Sequence, residues 1–175
     1  MRNGFVLSLT ALTAAILAFA AVEKPTKPSE EYKNLMRSNA SLVDLTAGSG
    51  NALGRDTNIE ARVQAEAGSK TLRELFSDKD YAGLAAGSDK LKANYEKILA
   101  FWTDKKGDDG TALAQAGINA ATDMHAAVLA KNDKGIAVAQ SAIEKTCRDC
   151  HTHHRVIVLT DSSFQIRLSS FEAAN

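Results

Sequence analysis

The chain of 175 residues contains little proline, and the position of its two prolines is informative. Pro25 and Pro28 both precede Ser29, so nothing from Ser29 onward interrupts a helix in the way that proline does. This part of the chain is rich in Ala, Lys, Glu and Leu, which favour helices, and it contains no internal repeat. The scarcity of proline therefore predicts a series of long helices.

The sequence also lacks an excess of charge of either sign and any recognisable catalytic motif, and this excludes further classes of protein. Lys and Arg together number 21, as do Asp and Glu, and this balance argues against nucleic acid as a partner. One domain of this size buries roughly 68–70% of the surface of its unfolded chain, so a core forms without disulfide staples. No Gly-rich phosphate loop and no Ser/His/Asp spacing is visible. We therefore predict that the chain is not an enzyme.

The N-terminus has the pattern of a secretory signal peptide. Arg2 supplies a positive charge, Phe5 to Ala20 carries no charge, and Ala18-Phe19-Ala20 is an A-x-A cleavage site. We predict a signal peptide over 1–20, export to the periplasm, a mature net charge of about −1 and no membrane span after cleavage. The alternative is an uncleaved anchor, because the apolar stretch through Val22 is almost long enough to span a bilayer.

The two cysteines of the chain stand in one motif near its end. Cys147-Arg148-Asp149-Cys150-His151 spells C-x-x-C-H, the attachment signature of a c-type haem. On a helix, residues i and i+3 share a face, so Cys147 and Cys150 can reach the two vinyl groups of one haem from the same side. His151 can place an imidazole nitrogen on the iron as the proximal ligand. The motif thus predicts one covalent haem c.

Two other interpretations of this motif are weaker. A redox disulfide between the cysteines is typical of a βαβ context, and no such pattern is visible. A zinc site with His153 or His154 has suitable residue types, but a structural site needs four ligands in a tetrahedron. Adjacent histidines on one helix diverge in direction, and no second pair of ligands occurs elsewhere in the chain.

Apolar spacing predicts four helices between residues 29 and 155, after an extended leader over 21–28. The first has Ser29 as N-cap and runs to about Thr46. A polar loop over 48–56 follows, and then a weaker helical pattern from Ile59 through Phe76 predicts an extra or continued helix. The second is capped by Asp80, the third runs from about Thr111 to Lys131 after a turn at Gly107–Gly110, and the last begins near Lys134. Their predicted inward stripes are Tyr32, Leu35, Met36, Leu42, Val43; Leu84, Ser88, Leu91, Tyr95, Ile98, Trp102; Leu113, Ala116, Ala120, Met124, Val128; and Ile136, Ala139, Ile143, Cys147, Cys150, His151, His154.

The C-terminal residues 156–175 differ from the helices before them. Val156 to Leu159 forms an apolar run, and the apolar residues from Phe164 to Phe171 alternate with polar ones. Alternation is typical of extended chain, so we predict an extended, strand-like tail.

A signal peptide, four predicted antiparallel helices and C-x-x-C-H on the last of them resemble the class II cytochromes c, the cytochrome c-prime group and its low-spin relatives. The resemblance covers about Ser29 to Arg155; Arg155 lies four residues after the haem histidine, where the family commonly has a basic residue. Weaker similarities are Tyr32-Lys33-Asn34-Leu35-Met36 and Phe101-Trp102. The region from Gly48 to Phe76 and the tail after Arg155 depart from the family pattern.

The resemblance implies an all-α antiparallel four-helix bundle with covalent haem on the last helix. It also implies that function depends on the residue opposite His151. Low-spin members carry a methionine ligand on the first helix, where Met36 lies on the inward stripe. We therefore expect a periplasmic electron-transfer protein with His151 and Met36 on the iron, passing electrons to other redox proteins. The alternative is a five-coordinate protein that binds nitric oxide or carbon monoxide, with Met36 as core packing.

Each of the other residues expected near the haem also has a predicted role. Arg155 is expected either to pair with a haem propionate or to be an exposed cation at the helix end. Met124 is expected to be core packing and His125 a boundary residue, while His154 is expected beside the porphyrin edge. Family members often dimerise through their first two helices, which leaves a homodimer open.

Overall fold

The computed structural model describes residues 25–43, 70–157 and 164–168, and within them five helices pack against one another. The predicted signal peptide, the first four residues of the leader and the predicted loop over 48–56 lie outside the described residues. The expectation of a mainly helical protein is confirmed. The elements are α1 Glu30–Leu42, α2 Leu72–Ser77, α3 Tyr81–Asp104, α4 Asp108–Leu129, α5 Asp133–His154, β1 Arg155–Ile157 and β2 Phe164–Ile166.

Side-chain caps begin three of the long helices. Ser29, Asp80 and Asn132 each accept a hydrogen bond from the backbone N–H three residues on, at 3.1, 2.9 and 3.1 Å. The predicted caps of α1 and α3 are confirmed, and α5 begins one residue before the predicted Lys134. The predicted end of α1 at Thr46 is wrong: the helix ends at Leu42, because the next residue adopts an extended backbone.

The predicted start of α4 at Thr111 is also wrong, since the helix begins three residues earlier at Asp108. Asp108 and Asp109 lie in its first turn, where the helix dipole favours negative charge. Gly110 belongs to the helix, and the indole of Trp102 fills the space that a side chain at this position would occupy. A Cβ at Gly110 would lie 2.1 Å from Cδ2 of Trp102.

Short turns join α3 to α4 and α4 to α5. The N–H of Gly107 bonds to the carbonyl of Trp102 at 3.0 Å, and Lys106 between them has a left-handed φ of 54°. The N–H of Asn132 bonds in the same way to Ala127 at 2.9 Å. These bonds end the helices tightly, so consecutive helices reverse direction and lie side by side.

The core lies where α3 and α5 pack against the two sides of α4, with α1 and α2 packed on α3. The predicted stripe of α3 is buried throughout. On α4, Ala120, Met124 and Val128 are buried as predicted, whereas Ala116 is exposed. Gly117 occupies the inward position beside it because the ring of Tyr95 lies against its backbone.

The described part of the tail is extended, as predicted. Strands β1 and β2 pair antiparallel, with Arg155 opposite Ile166 and Ile157 opposite Phe164. Thr26 of the leader forms a further antiparallel bridge with Ile166, so the leader and the tail meet at the end of α5. None of the described helices combines the length and the apolar character needed to span a membrane.

Candidate cofactor cavity

A cavity lies between the helices α1, α3, α4 and α5 and the strands β1 and β2. Its empty volume is about 1390 Å³, including the solvent at its mouth. All five residues predicted to hold a cofactor line this one cavity: Met36 on α1, Cys147, Cys150 and His151 on α5, and Arg155 at the start of β1.

The two cysteines lie one helical turn apart on the cavity side of α5, and neither forms a disulfide. Burial raises the pKa of Cys147 to about 11 and that of Cys150 to about 12. Both are therefore neutral thiols near pH 7. Redox-active C-x-x-C pairs depend on a lowered thiol pKa, so these shifts give no support to the redox-disulfide alternative.

His151 follows the second cysteine and is neutral at physiological pH. Burial and, to a smaller degree, the positive charge of Arg155 lower the pKa of its imidazole to about 4. A neutral imidazole keeps a ring-nitrogen lone pair, and this is the form that binds a metal.

Met36 lies on the α1 wall of the cavity and is half-buried. Met124, by contrast, is fully buried in α4 and does not line the cavity, so it is core packing. Only Met36, of these two methionines, brings a thioether to the cavity that holds Cys147, Cys150 and His151.

His125 lies away from the cavity, in contact with Asp89 and Ser88. Its Nδ1 is 2.8 Å from a carboxylate oxygen of Asp89 and 3.5 Å from the hydroxyl of Ser88. A catalytic triad needs the acid and the nucleophile on different ring nitrogens, whereas both groups here approach Nδ1. The hydroxyl of Ser88 is also directed to the carbonyl of Ala85 at 2.8 Å. The three side chains therefore do not form a nucleophilic site.

His154 lines the cavity but is bound to the tail. It is 2% exposed, its ring centroid is 4.5 Å from that of Trp102, and its Nδ1 lies 2.9 Å from the carbonyl oxygen of Arg167. Since a carbonyl only accepts, Nδ1 carries the proton and donates. Burial lowers the pKa of His154, which favours this neutral form. The expected place beside a porphyrin edge is compatible with this position, but the nearest partner is the tail.

Arg155 is half-buried, so the alternative of an exposed helix-terminal cation is wrong. It follows the last residue of α5 and opens β1, and its guanidinium carbon lies 5.3 Å from the ring centre of Phe164. Burial lowers the pKa of Arg155, although an arginine remains charged. Lys33 and Arg37 also line the cavity, and no carboxylate does so among the described residues. The charged part of the lining is thus suited to an anionic group.

Sequence reasoning assigned Tyr95 to the core and missed its contact with the motif. Its hydroxyl lies 3.0 Å from Sγ of Cys147. Burial raises the pKa of Tyr95 well above its usual value, and the neighbouring Cys147 raises it further. The position of Tyr95 on the inward stripe of α3 was the only signal available, and it indicates burial without indicating a partner.

Comparison of the chain with protein-family models, with curated proteins and with solved structures finds no match. Within residues 25–43, 70–157 and 164–168, no group of three or more His, Cys, Asp or Glu side chains is placed to hold a metal ion. The interpretation of the cavity therefore depends on its own residues.

Proposed function

We propose that this chain is a periplasmic electron carrier with one covalently attached haem c. The observation that carries the proposal is that Met36, Cys147, Cys150, His151 and Arg155, chosen from sequence alone, line a single cavity. In this proposal α1, α3, α4 and α5 are the helices of a four-helix bundle, and the haem is attached to the last of them.

The residues present fit such a group. Aromatic and aliphatic side chains, including Tyr32, Ile98 and Trp102, line the cavity beside the two thiols. The cations Lys33 and Arg37 suit the carboxylates that a haem carries. A large apolar cavity with a few convergent polar groups is the usual form of a cofactor site.

Each candidate residue has a separate task. Cys147 and Cys150 hold the group through thioether bonds, His151 offers a neutral ring nitrogen to the iron, and Met36 offers a thioether sulfur from α1. Bound haem supplies one-electron redox chemistry at the iron. The buried, largely apolar lining and a methionine ligand both favour the ferrous state and raise the reduction potential. Arg155 has the charge needed to pair with a propionate.

The location and the partners follow from the attachment motif and the N-terminal pattern. Covalent haem attachment is normally completed outside the cytoplasm, in agreement with the predicted signal peptide over 1–20. The partners would be redox proteins that meet this chain through a small, transient interface. No enzymatic activity is proposed, and a homodimer is left open.

Optical and magnetic-circular-dichroism spectra of the exported protein in both oxidation states test the proposal. We expect haem that survives acid–acetone extraction and a low-spin, six-coordinate iron. Met36→Leu nearly conserves volume, so it should give a high-spin, five-coordinate iron without unfolding the chain. Met124→Leu is the matched control, because that methionine lies in the core away from the cavity.

Two results would redirect or defeat the proposal. A five-coordinate wild-type iron that binds carbon monoxide rapidly, with no change in Met36→Ala, would favour the gas-binding alternative. An exported chain that carries no haem, or that loses all its haem to acid–acetone, would contradict the proposed covalent attachment.

A further inference from the structure

The segment Phe164–Leu168 closes the cavity at the end of α5. Its strand β2 pairs antiparallel with β1. Phe164 and Ile166 line the cavity, whereas Gln165 between them does not. Ile166 is only 4% exposed, and Leu168 packs against the core. The alternation of a strand therefore places two apolar side chains on the cavity and turns the intervening polar one away.

Hydrogen bonds hold this segment from two further directions. Thr26 and Ile166 exchange backbone N–H···O bonds of 2.7 and 2.8 Å. The N–H of Arg167 donates to the carbonyl of His154 at 2.8 Å, and Nδ1 of His154 donates to the carbonyl of Arg167 at 2.9 Å. The segment is thus fixed to the leader and to the last turn of α5 as well as to β1.

The segment Phe164–Leu168 is bound to the end of the helix that carries the C-x-x-C-H motif. His154 lies three residues after His151, so β2 is attached directly beyond the proposed haem-binding turn. The guanidinium of Arg155 lies over the ring of Phe164, which adds a contact between the last turn and the strand. Without β2, this end of the cavity would lose two of its apolar wall residues and would admit water.

We propose that Phe164 and Ile166 determine solvent and small-ligand access to the bound cofactor at this end of the cavity. This inference rests on the proposed function. Exclusion of water from a haem site favours the ferrous state and raises its potential. An intact wall also hinders external ligands from reaching the site. The wall thereby favours outer-sphere electron transfer over ligand binding.

The test uses the full exported chain with Phe164→Ala, Ile166→Ala and the matched control Gln165→Ala, which alters the same strand away from the cavity. Haem content is measured first, by mass and by absorbance. The readouts are the midpoint potential and the rate of carbon monoxide binding to the reduced protein. We expect both wall variants to shift the potential to more negative values and to bind carbon monoxide faster than the wild type, with Gln165→Ala unchanged on both counts.

Ile166→Val keeps the proposal testable where an alanine variant fails to fold. It removes one methylene group and should shift both readouts in the same direction by a smaller amount. Fully haem-loaded wall variants with wild-type potential and binding rate would overturn this inference and leave the proposed function standing. A wild-type chain that carries no haem would overturn both.

Discussion

Two of the cavity walls, those formed by α1 and by α5, are packed against the rest of the protein in different ways. Helix α5, which carries the C-x-x-C-H motif, packs along α4, and α4 packs along α3. Turns of three residues join these consecutive helices. The α1 wall, which carries Met36, makes its main helix contact with α3. That contact includes a buried polar pair, because the side-chain amide of Asn94 donates to the oxygen of Asn39 at 2.8 Å.

If the proposed haem is bound, its attachment to α5 and its ligation by Met36 on α1 would therefore respond independently to mutation. The proposed attachment would require the α3–α4–α5 packing, which forms the larger part of the buried core. The proposed ligation by Met36 would require in addition that α1 stays packed on α3. An element with fewer buried contacts opens at a lower free energy than the rest of the molecule. Damage to the α1 contact should therefore change the spin state before it removes the haem.

The largest effect is expected from damage to the α3–α4 contact. In Gly110→Ala the new Cβ would lie within about 2.1–2.6 Å of three atoms of the buried Trp102 ring. Overpacking of this kind costs up to about 3 kcal/mol, and the indole is a rigid ring and not the end of a flexible side chain. We expect a loss of that order in the free energy of unfolding, measured by urea denaturation with tryptophan fluorescence.

Gly83→Ala is the control for that substitution. Its new Cβ also meets close neighbours, but they are the side-chain ends of Leu75 and of the N-cap Asp80, and alanine is favoured over glycine within a helix. Loss of the Asp80 cap would cost about 1 kcal/mol. The cost should be well below that of Gly110→Ala. Equal losses for the two variants would show that the rigid contact with Trp102 is not what makes Gly110 necessary.

An intermediate effect is expected at the α1–α3 contact. Asn94→Ala removes the donor to Asn39 and to the hydroxyl of Ser38, and leaves a buried amide oxygen without its partner. The cost is about 1–2 kcal/mol. We expect faster amide hydrogen exchange in α1 and a larger high-spin fraction, while the haem content stays at the wild-type level.

A double-mutant cycle gives the control for this experiment. Asn39→Ala in the Asn94→Ala background removes both members of the pair, so it should add less than it costs in the wild type. Exchange that accelerates equally in α1 and α5 would contradict the idea that the two walls are held separately.

Local sequence signals sufficed for most helix starts, as Ser29 and Asp80 illustrate, because a cap and its target lie three residues apart. What they missed depends on partners distant in the chain. Gly110 lies in α4 with Trp102 packed against it, whereas a glycine in a polar run by itself predicts a turn. The bridge between Thr26 and Ile166 joins residues 140 apart, which no spacing rule anticipates.

The candidate site also contains residues that local sequence was enough to propose and residues that depend on partners distant in the chain. The residues of the proposed attachment site are close in sequence, and their motif was enough to propose them. Met36 needed the family resemblance, since an inward methionine alone predicts only packing. Phe164 was recognised as part of an extended tail, but its place on the cavity depends on how β2 pairs with β1. Contacts between elements are set by tertiary packing and are not encoded in local periodicity.

The smallest effect is expected at the contact between α3 and the motif. Tyr95→Phe keeps the ring against Gly117 but removes the hydroxyl beside Sγ of Cys147, at a cost of about 0.5–1 kcal/mol. That hydrogen bond lowers the pKa of Cys147, so its loss should raise the pKa above its value of about 11. In a haem-free Cys150→Ser background, alkylation of Cys147 at fixed pH should slow, because less thiolate is present. The control is Tyr32→Phe, because Tyr32 forms no hydrogen bond to Cys147, and it should leave the alkylation rate unchanged. Equal alkylation rates in the Cys150→Ser parent and in both tyrosine variants would show that the hydroxyl of Tyr95 does not act on the thiol.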